Sequence, residues 1–401
     1  MPGPYSPQAG ADEQTLPATA HIDLDAIADN IRALKKRAGR AQLMAVVKAD
    51  AYGHGSVEVA MTALSEGVTW FGVAQTSEAL RLRHQLRRRG VADADAHIFT
   101  WLAEPETDWG QLLQAGMEVS AGDLPTLKSI AEAAEAAQTV APVHLKVDVG
   151  MSRGGTRLEQ FPDLAAQAAY LEDAGLIRVE GVWSHLSQAD NPIGIGGETT
   201  AQQIGLFEQA LRQAAEVGLR PRWEHLAATS GLMWHKESRH NMVRVGIGLY
   251  GLSPNPAVAS AQELGLRPAM TLTCPLISVK SIPAGTRISY GGTWQAFHDQ
   301  WIGIVPVGYA DGLPRAASGS APVAVGPNHE SSRVLGVICM DQSVIDLGAG
   351  AAPTAHVGQN VVIFGEGGPT VEQWAQAAGT INYEIVTRIS PTVRRQYHGG
   401  K

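Results

Sequence analysis

Lys48 closes the apolar run 43–47 and is followed by Ala49-Asp50-Ala51-Tyr52-Gly53-His54-Gly55. A buried parallel strand reads as a continuous apolar run, and in α/β folds the carboxyl ends of such strands face the active site. A partly desolvated lysine there has a lowered pKa and serves as a Schiff-base amine or a general base; the alternative is a surface lysine on a βα loop. Lys146 and Asp148 stand two apart in another apolar run, so both project from one face of a strand. Facing an interior, two charges must be paired with each other or chemically modified. His185, Ser230 and Arg244 end three further runs. Ser230-Gly231 and Gly246-Ile247-Gly248 offer a hydroxyl and open backbone N–H groups for a phosphate, or else form tight turns.

These residues need elements to hold them. A short strand at 20–23 leads into a helix carrying Leu24, Ile27, Ile31 and Leu34 on one stripe and stopping at Gly39, the expected spacing and stop. Strands are predicted at residues 43–47, 70–74, 97–101, 117–120, 143–148, 179–184, 223–227 and 242–245, with helical patterns between them. The helix predicted at 199–218 places Ile204, Phe207, Leu211 and Ala215 on one face. Eight strands each a helix length apart match a (β/α)8 TIM-type barrel better than an open sheet, and no GxGxxG opens a dinucleotide fold. After Ser253-Pro254-Asn255-Pro256 the pattern becomes short β-rich runs at 271–279, 285–290, 301–307, 334–338, 361–364 and 384–386, with one small helix at 371–378. The expected plan is therefore a tail over 1–14, a strand within 15–25 joining a C-terminal sheet, a barrel over 26–262 and a mostly antiparallel β domain over 263–401.

Composition narrows the class. A formal charge of -8 over 401 residues speaks against a nucleic-acid or anionic-membrane binder. Two cysteines, Cys274 and Cys339, exclude a disulfide scaffold or a Cys-rich metal site. Residues 1–14 lack the basic and apolar segments of a signal peptide, and no run is long enough to span a bilayer. A cytoplasmic protein is expected, with no metal.

A barrel-mouth lysine combined with a phosphate site suggests pyridoxal 5′-phosphate. The string Ala45-Val46-Val47-Lys48-Ala49-Asp50-Ala51-Tyr52-Gly53-His54-Gly55 resembles the cofactor-lysine signature of the alanine racemase family. Further similar strings follow in the family's order. They are Lys146 to Arg153, Ser184-His185, Val243 to Gly251, Ile288 to Gly291, Gly308 to Gly312, Ile338 to Gln342 and Thr380 to Glu384.

The resemblance implies interconversion of L- and D-alanine on a pyridoxal phosphate aldimine, supplying D-alanine for peptidoglycan. It makes Lys48 and Tyr290 the two bases on opposite faces of the cofactor. It assigns phosphate contacts to Tyr52, Ser230, Tyr383 and the backbone of Gly246 and Ile247, and the pyridine nitrogen to Arg244 with His185 behind it. Arg153 and the Met340 N–H hold the substrate carboxylate, Lys146 matches a lysine frequently carbamylated, and Tyr309, Asp190 and Arg315 line the substrate corridor. A homodimer with composite sites is implied, since the family brings its tyrosine from the neighbouring subunit. Thr229, Val337 and Thr392 depart from the usual Asn, Arg and Arg. Two competing readings are a related barrel decarboxylase or D-amino-acid lyase, disfavoured by the Tyr290 and Cys339-Met340-Asp341 strings and by Arg244 at the pyridine position, and a single-domain barrel that stores the cofactor, disfavoured by the C-terminal β domain with Tyr290.

Overall fold

The computed structural model describes residues 18–353 and 355–400, so the tail expected over 1–14 lies outside the described residues. The described chain divides into two compact units, one of residues 22–269 with 397–400, the other of residues 270–396 with 18–21.

The larger unit is the expected (β/α)8 barrel. Its strands are Gln42–Val46, Trp70–Gln75, His97–Leu102, Met117–Ala121, Ala141–Asp148, Ile177–Trp183, Trp223–His225 and Met242–Val245. The first seven pair in parallel, each with the next, and the eighth pairs with the first, with Arg244 opposite Met44. Between the seventh and eighth, the Arg244 N–H donates to the Ala227 carbonyl at 2.9 Å. The barrel interior is aromatic and sulfur-rich, with Met44, Trp70, Phe99, Trp183 and Met242 buried together.

Local chemistry sets the helix limits. Leu24–Ala38 begins where the Asp23 carboxylate accepts from the Ala26 N–H and stops at Gly39, whose φ of 68° an L side chain rarely adopts. Ile195–Glu216 is helical as expected but turned about its axis: Thr200, Gln203, Phe207, Ala210 and Ala214 are buried, while Ala215 is exposed. Gln203 tolerates burial because its amide donates to Ser187 Oγ and accepts from the Ser187 N–H, both at 3.0 Å.

The smaller unit is built on a nine-stranded sheet in the order Ser278–Ile282, Gln300–Val305, Ser343–Asp346, Glu330–Leu335, Pro322–Val325, Asn360–Phe364, Met270–Pro275, Thr19–Asp23 and Arg394–His398. The run expected over 271–279 is two strands broken after Pro275, each with a different antiparallel partner. The helix Val371–Ala378 forms as expected behind a Thr370–Gln373 capping box. Residues 384–386, expected as a strand, lie instead in a second short helix, Asn382–Thr387. Its β-branched Ile385 and Val386 are buried, so packing overrides their strand preference. Among the described residues no helix is long and apolar enough to cross a membrane.

Candidate active site

The Lys48 turn winds the wrong way for L-amino acids. Ala49, Asp50, Ala51 and Tyr52 all have φ between 50° and 55°, with ψ of 48–50° at the first three, a left-handed turn completed by Gly53. Such backbone costs roughly 1–2 kcal/mol per residue, and it persists only where the surroundings over-determine it. Here Glu78 accepts from the Ala49 N–H at 2.6 Å and from the Ala74 and Gln75 N–H groups at 3.0 Å. Asp50 accepts from the Ser56 N–H at 2.8 Å. His54 Nδ1–H donates to the Ala51 and Tyr52 carbonyls, its ring stacked 4.4 Å from Tyr250. Tyr250 in turn donates to the Val46 carbonyl at 2.8 Å, fastening the turn to the first strand.

Lys48 is half-buried at this turn, 5.9 Å from the Tyr52 and Trp101 ring centres. Burial, then the charges of Arg153 and Arg244, lower its pKa below the usual lysine value, with Glu78 opposing. Burial first, then Arg153 and Arg244, bring Lys146 down to about 8. Lys146 and Asp148 do share a face, but no ion pair joins them among the described residues. Lys146 Nζ lies 4.6 Å from the Trp183 ring centre, and Asp148 accepts from the Gly150, Met151 and Ser152 N–H groups at 2.9–3.1 Å. The mutual influence of Lys48, Lys146, Arg153 and Arg244 marks a cationic mouth that favours anionic ligands.

Arg244 is buried and held by its two Nη atoms. Nη1 donates to the His225 carbonyl at 2.6 Å and to His225 Nδ1 at 3.2 Å; Nη2 donates to the Ser184 and Leu226 carbonyls and to His185 Nδ1 at 2.7, 3.1 and 3.3 Å. Its Nε–H has no protein acceptor among the described residues. Burial lowers the guanidinium pKa to about 9, which leaves it protonated at neutral pH. Burial, then the charge of Arg244, takes His185 down to about 3, so its ring is neutral and accepts from Arg244.

Near the ends of strands seven and eight, Gly246 has no room for a side chain: a Cβ would stand 2.3 Å from Tyr52 Oη. Burial keeps the Tyr52 phenol well above its ordinary pKa and hence protonated. The hydroxyl gathered onto this loop belongs to Thr229, which accepts from the Gly246 N–H at 3.2 Å and the Gly248 N–H at 3.5 Å. Ser230 is half-buried beside it and forms no side-chain hydrogen bond among the described residues. Thr229 is thus a site residue that the sequence reading treated only as a departure; its β-position hydroxyl next to Ser230 was the available signal.

In the smaller unit Tyr290 opens a short 3₁₀ turn behind Ser289, a non-glycine residue at φ 61°. Ser289 Oγ donates to the Val337 carbonyl at 2.7 Å and lies 3.3 Å from Cys339 Sγ. Tyr309 and Ala310 donate their N–H groups to the Cys339 and Met340 carbonyls, at 3.0 Å each. Tyr290, Tyr309 and Met340 are accordingly linked within one loop cluster, and all are exposed, Tyr290 to 73%. Arg315 is exposed on this unit, and Tyr383 is half-buried on the Asn382–Thr387 helix. Asp190, in the larger unit, is exposed with its carbonyl accepting from Asn255. The Thr392 hydroxyl shares a 2.8 Å hydrogen bond with Ser390.

Residues 22–254 match the family model for the alanine racemase N-terminal domain, and residues 269–397 match that for its C-terminal domain. The chain belongs to the alanine racemase family. It is 45% identical to an alanine racemase of Beutenbergia cavernae over 96% of this chain and 99% of that one, and 43% identical to one from Streptomyces coelicolor over 96% and 97%. Among solved structures, alanine racemase from D-cycloserine-producing Streptomyces lavendulae superposes with a TM-score of 0.91 at 40% identity, covering 97% of this chain and 99% of that one.

Proposed function

We propose that this enzyme interconverts L- and D-alanine with pyridoxal 5′-phosphate, using Lys48 and Tyr290 as two bases. The observation that carries the reading is the donor set at the barrel mouth. A lysine of lowered pKa, a fixed arginine with one unengaged N–H, and a glycine backbone too tight for any Cβ stand among four cations. That set fits the cofactor: Lys48 to hold it covalently, Arg244 Nε–H for the pyridine nitrogen, and Tyr52, Thr229, Gly246 and Ile247 for the phosphate, with Ser230 adjoining; the family resemblance adds Tyr383 as a phosphate contact. Bound there, pyridoxal phosphate supplies the electron-withdrawing ring that acidifies the alanine Cα–H.

The chain's own groups do the rest. Lys48 Nζ takes or returns a proton on one face of the substrate carbon, and Tyr290 Oη serves the other face, so the substrate need not turn over. An arginine cannot release its proton in the working pH range, so Arg244 meets the ring as a donor only. Arg153 and the Met340 N–H hold the carboxylate. A carbamate on Lys146 orients Arg153, and Tyr309, Asp190 and Arg315 line the approach. The exposure of Tyr290 on a single chain supports a homodimer in which each phenol completes a site in the partner copy. The product serves peptidoglycan synthesis in the cytoplasm.

Protein incubated with L-alanine in deuterated water should lose optical activity while Cα gains deuterium. Release of carbon dioxide instead would point to a decarboxylase, and unchanged L-alanine to a lyase of other substrates or a cofactor carrier; either would end this reading.

A further inference from the structure

Four buried or half-buried polar side chains, none of them among the residues assigned above, form one hydrogen-bonded file through the barrel to Arg244. His97 Nδ1 lies 3.0 Å from Glu118 Oε1; Glu118 Oε2 lies 2.7 Å from His144 Nε2; His144 Nδ1 lies 2.9 Å from His225 Nε2; His225 Nδ1 receives Arg244 Nη1 at 3.2 Å. His144 and His225 are fully buried, and Glu118 is 7% exposed. Buried polar groups of this kind are kept only when they are satisfied.

The donor inventory fixes the direction of every bond. A guanidinium only donates, so His225 Nδ1 is bare and its proton sits on Nε2. That Nε2–H donates to His144 Nδ1, which places the His144 proton on Nε2, aimed at Glu118. The carboxylate accepts from His144 and from His97 and ends the file. A proton added to either imidazole would set two donors against each other. Burial alone would raise the Glu118 pKa, but the hydrogen bonds from His144 and His97 outweigh it and hold the carboxylate ionised, at about 2. Burial, then His144 and Arg244, keep His225 well below its ordinary value and neutral.

The walls are shaped for this file. The Trp183 ring lies parallel to His225 within 4°, and Trp70 is parallel to His97 within 10° at 4.5 Å. Gly181 clears the His144–His225 contact, since a Cβ there would lie 2.3 Å from His144 Nδ1. We propose that Glu118, acting through His144 and His225, is a positioning residue for Arg244, fixing the imidazole tautomers so that the guanidinium keeps its Nη donors engaged and presents Nε–H alone. The effect on turnover rests on the reading that Arg244 faces the cofactor ring; the tautomers do not.

The test uses protein labelled with [15N]histidine, prepared as holoenzyme and as cofactor-free chain. Nitrogen NMR near neutral pH should show His144 and His225 neutral, each protonated on Nε2 only, in both forms. Either ring found protonated on Nδ1, or on both nitrogens, overturns the proposal. In Glu118→Gln, and independently in Gly181→Ala, the defined tautomers should be lost in the cofactor-free chain. In the Gln variant kcat should fall about 10-fold or more, as for other outer-shell partners, with KM changed less than about 2-fold, and Glu118→Asp should recover part of it. Variants that lower only the melting temperature, with tautomers as in the parent, would show Glu118 to be structural and sink the idea. Tautomers lost in the Gln variant with turnover unchanged would uphold the file and count instead against Arg244 facing the ring.

Discussion

The two units keep their polar side chains in opposite ways. In the barrel, Arg244, His225, His144 and Glu118 are buried and bound to one another, and even the backbone of residues 49–52, just after Lys48, is held in a conformation it would not choose. In the smaller unit, Tyr290, Tyr309 and Met340 stand in water, with only their loop backbones tied together. One unit fixes its groups before any ligand arrives; the other presents groups for something else to bury. Under the proposed function the difference predicts that substitutions in the barrel act on binding and alignment, whereas substitutions in the exposed cluster act on a proton step and on association.

The largest expected effect comes from Lys48→Ala. Racemisation should fall by more than about 10⁴-fold, beyond what one acid or base supplies, because the covalent anchor is lost as well. The purified variant should also lack the cofactor's absorbance, and a coloured, active variant would break the proposed role. Next is Tyr290→Phe, with an expected loss of about 10²- to 10⁴-fold while cofactor affinity stays at the parent value. Deuterium exchange measured separately from each enantiomer should become unequal, since one face keeps its base. Equal losses in exchange from both would blur the division of labour.

Thr229→Val keeps the shape and removes the hydroxyl. It should weaken cofactor binding by about 10-fold, the scale of one hydrogen bond to a charged group, and Ser230→Ala should cost less. The reverse ranking would return the phosphate role to Ser230. The smallest effect concerns Lys146. A carbamate forms from the neutral amine, and with a pKa of about 8 that form is depleted as pH falls below this value. With [13C]bicarbonate, a carbamate signal should therefore shrink from pH 8.5 to 6.5 in step with a modest rise in KM. A signal absent at every pH would remove the modification.

Much of the scaffold was legible in the chain itself. Barrel strands are long apolar runs punctuated by glycine, and each predicted run overlaps an observed strand, with ends displaced by at most two residues. Helix Leu24–Ala38 ends at Gly39 as its spacing requires. What stayed hidden depends on contacts between distant segments. The inner face of Ile195–Glu216 turns because Gln203 finds Ser187, and Asn382–Thr387 is helical despite its β-branched pair. At the site, Lys48, Arg244 and His185 were marked by where their strands end. His97, Glu118, His144 and His225 come from four different strands, and only the closed barrel shows that they form a file. Their one trace was a titratable residue inside or at the end of each predicted strand.

The mirror-handed turn beneath Lys48 has a consequence for heat. It is a compressed spring latched by two carboxylates, Glu78 and Asp50, and by the His54 ring. On gradual warming, activity should therefore fade while far-ultraviolet ellipticity is still that of the folded chain; activity and ellipticity lost together would show that this turn is no weaker than the rest. Activity lost in that order would mean that its endurance is set by a handful of bonds at one corner of the barrel rather than by the size of the apolar interior.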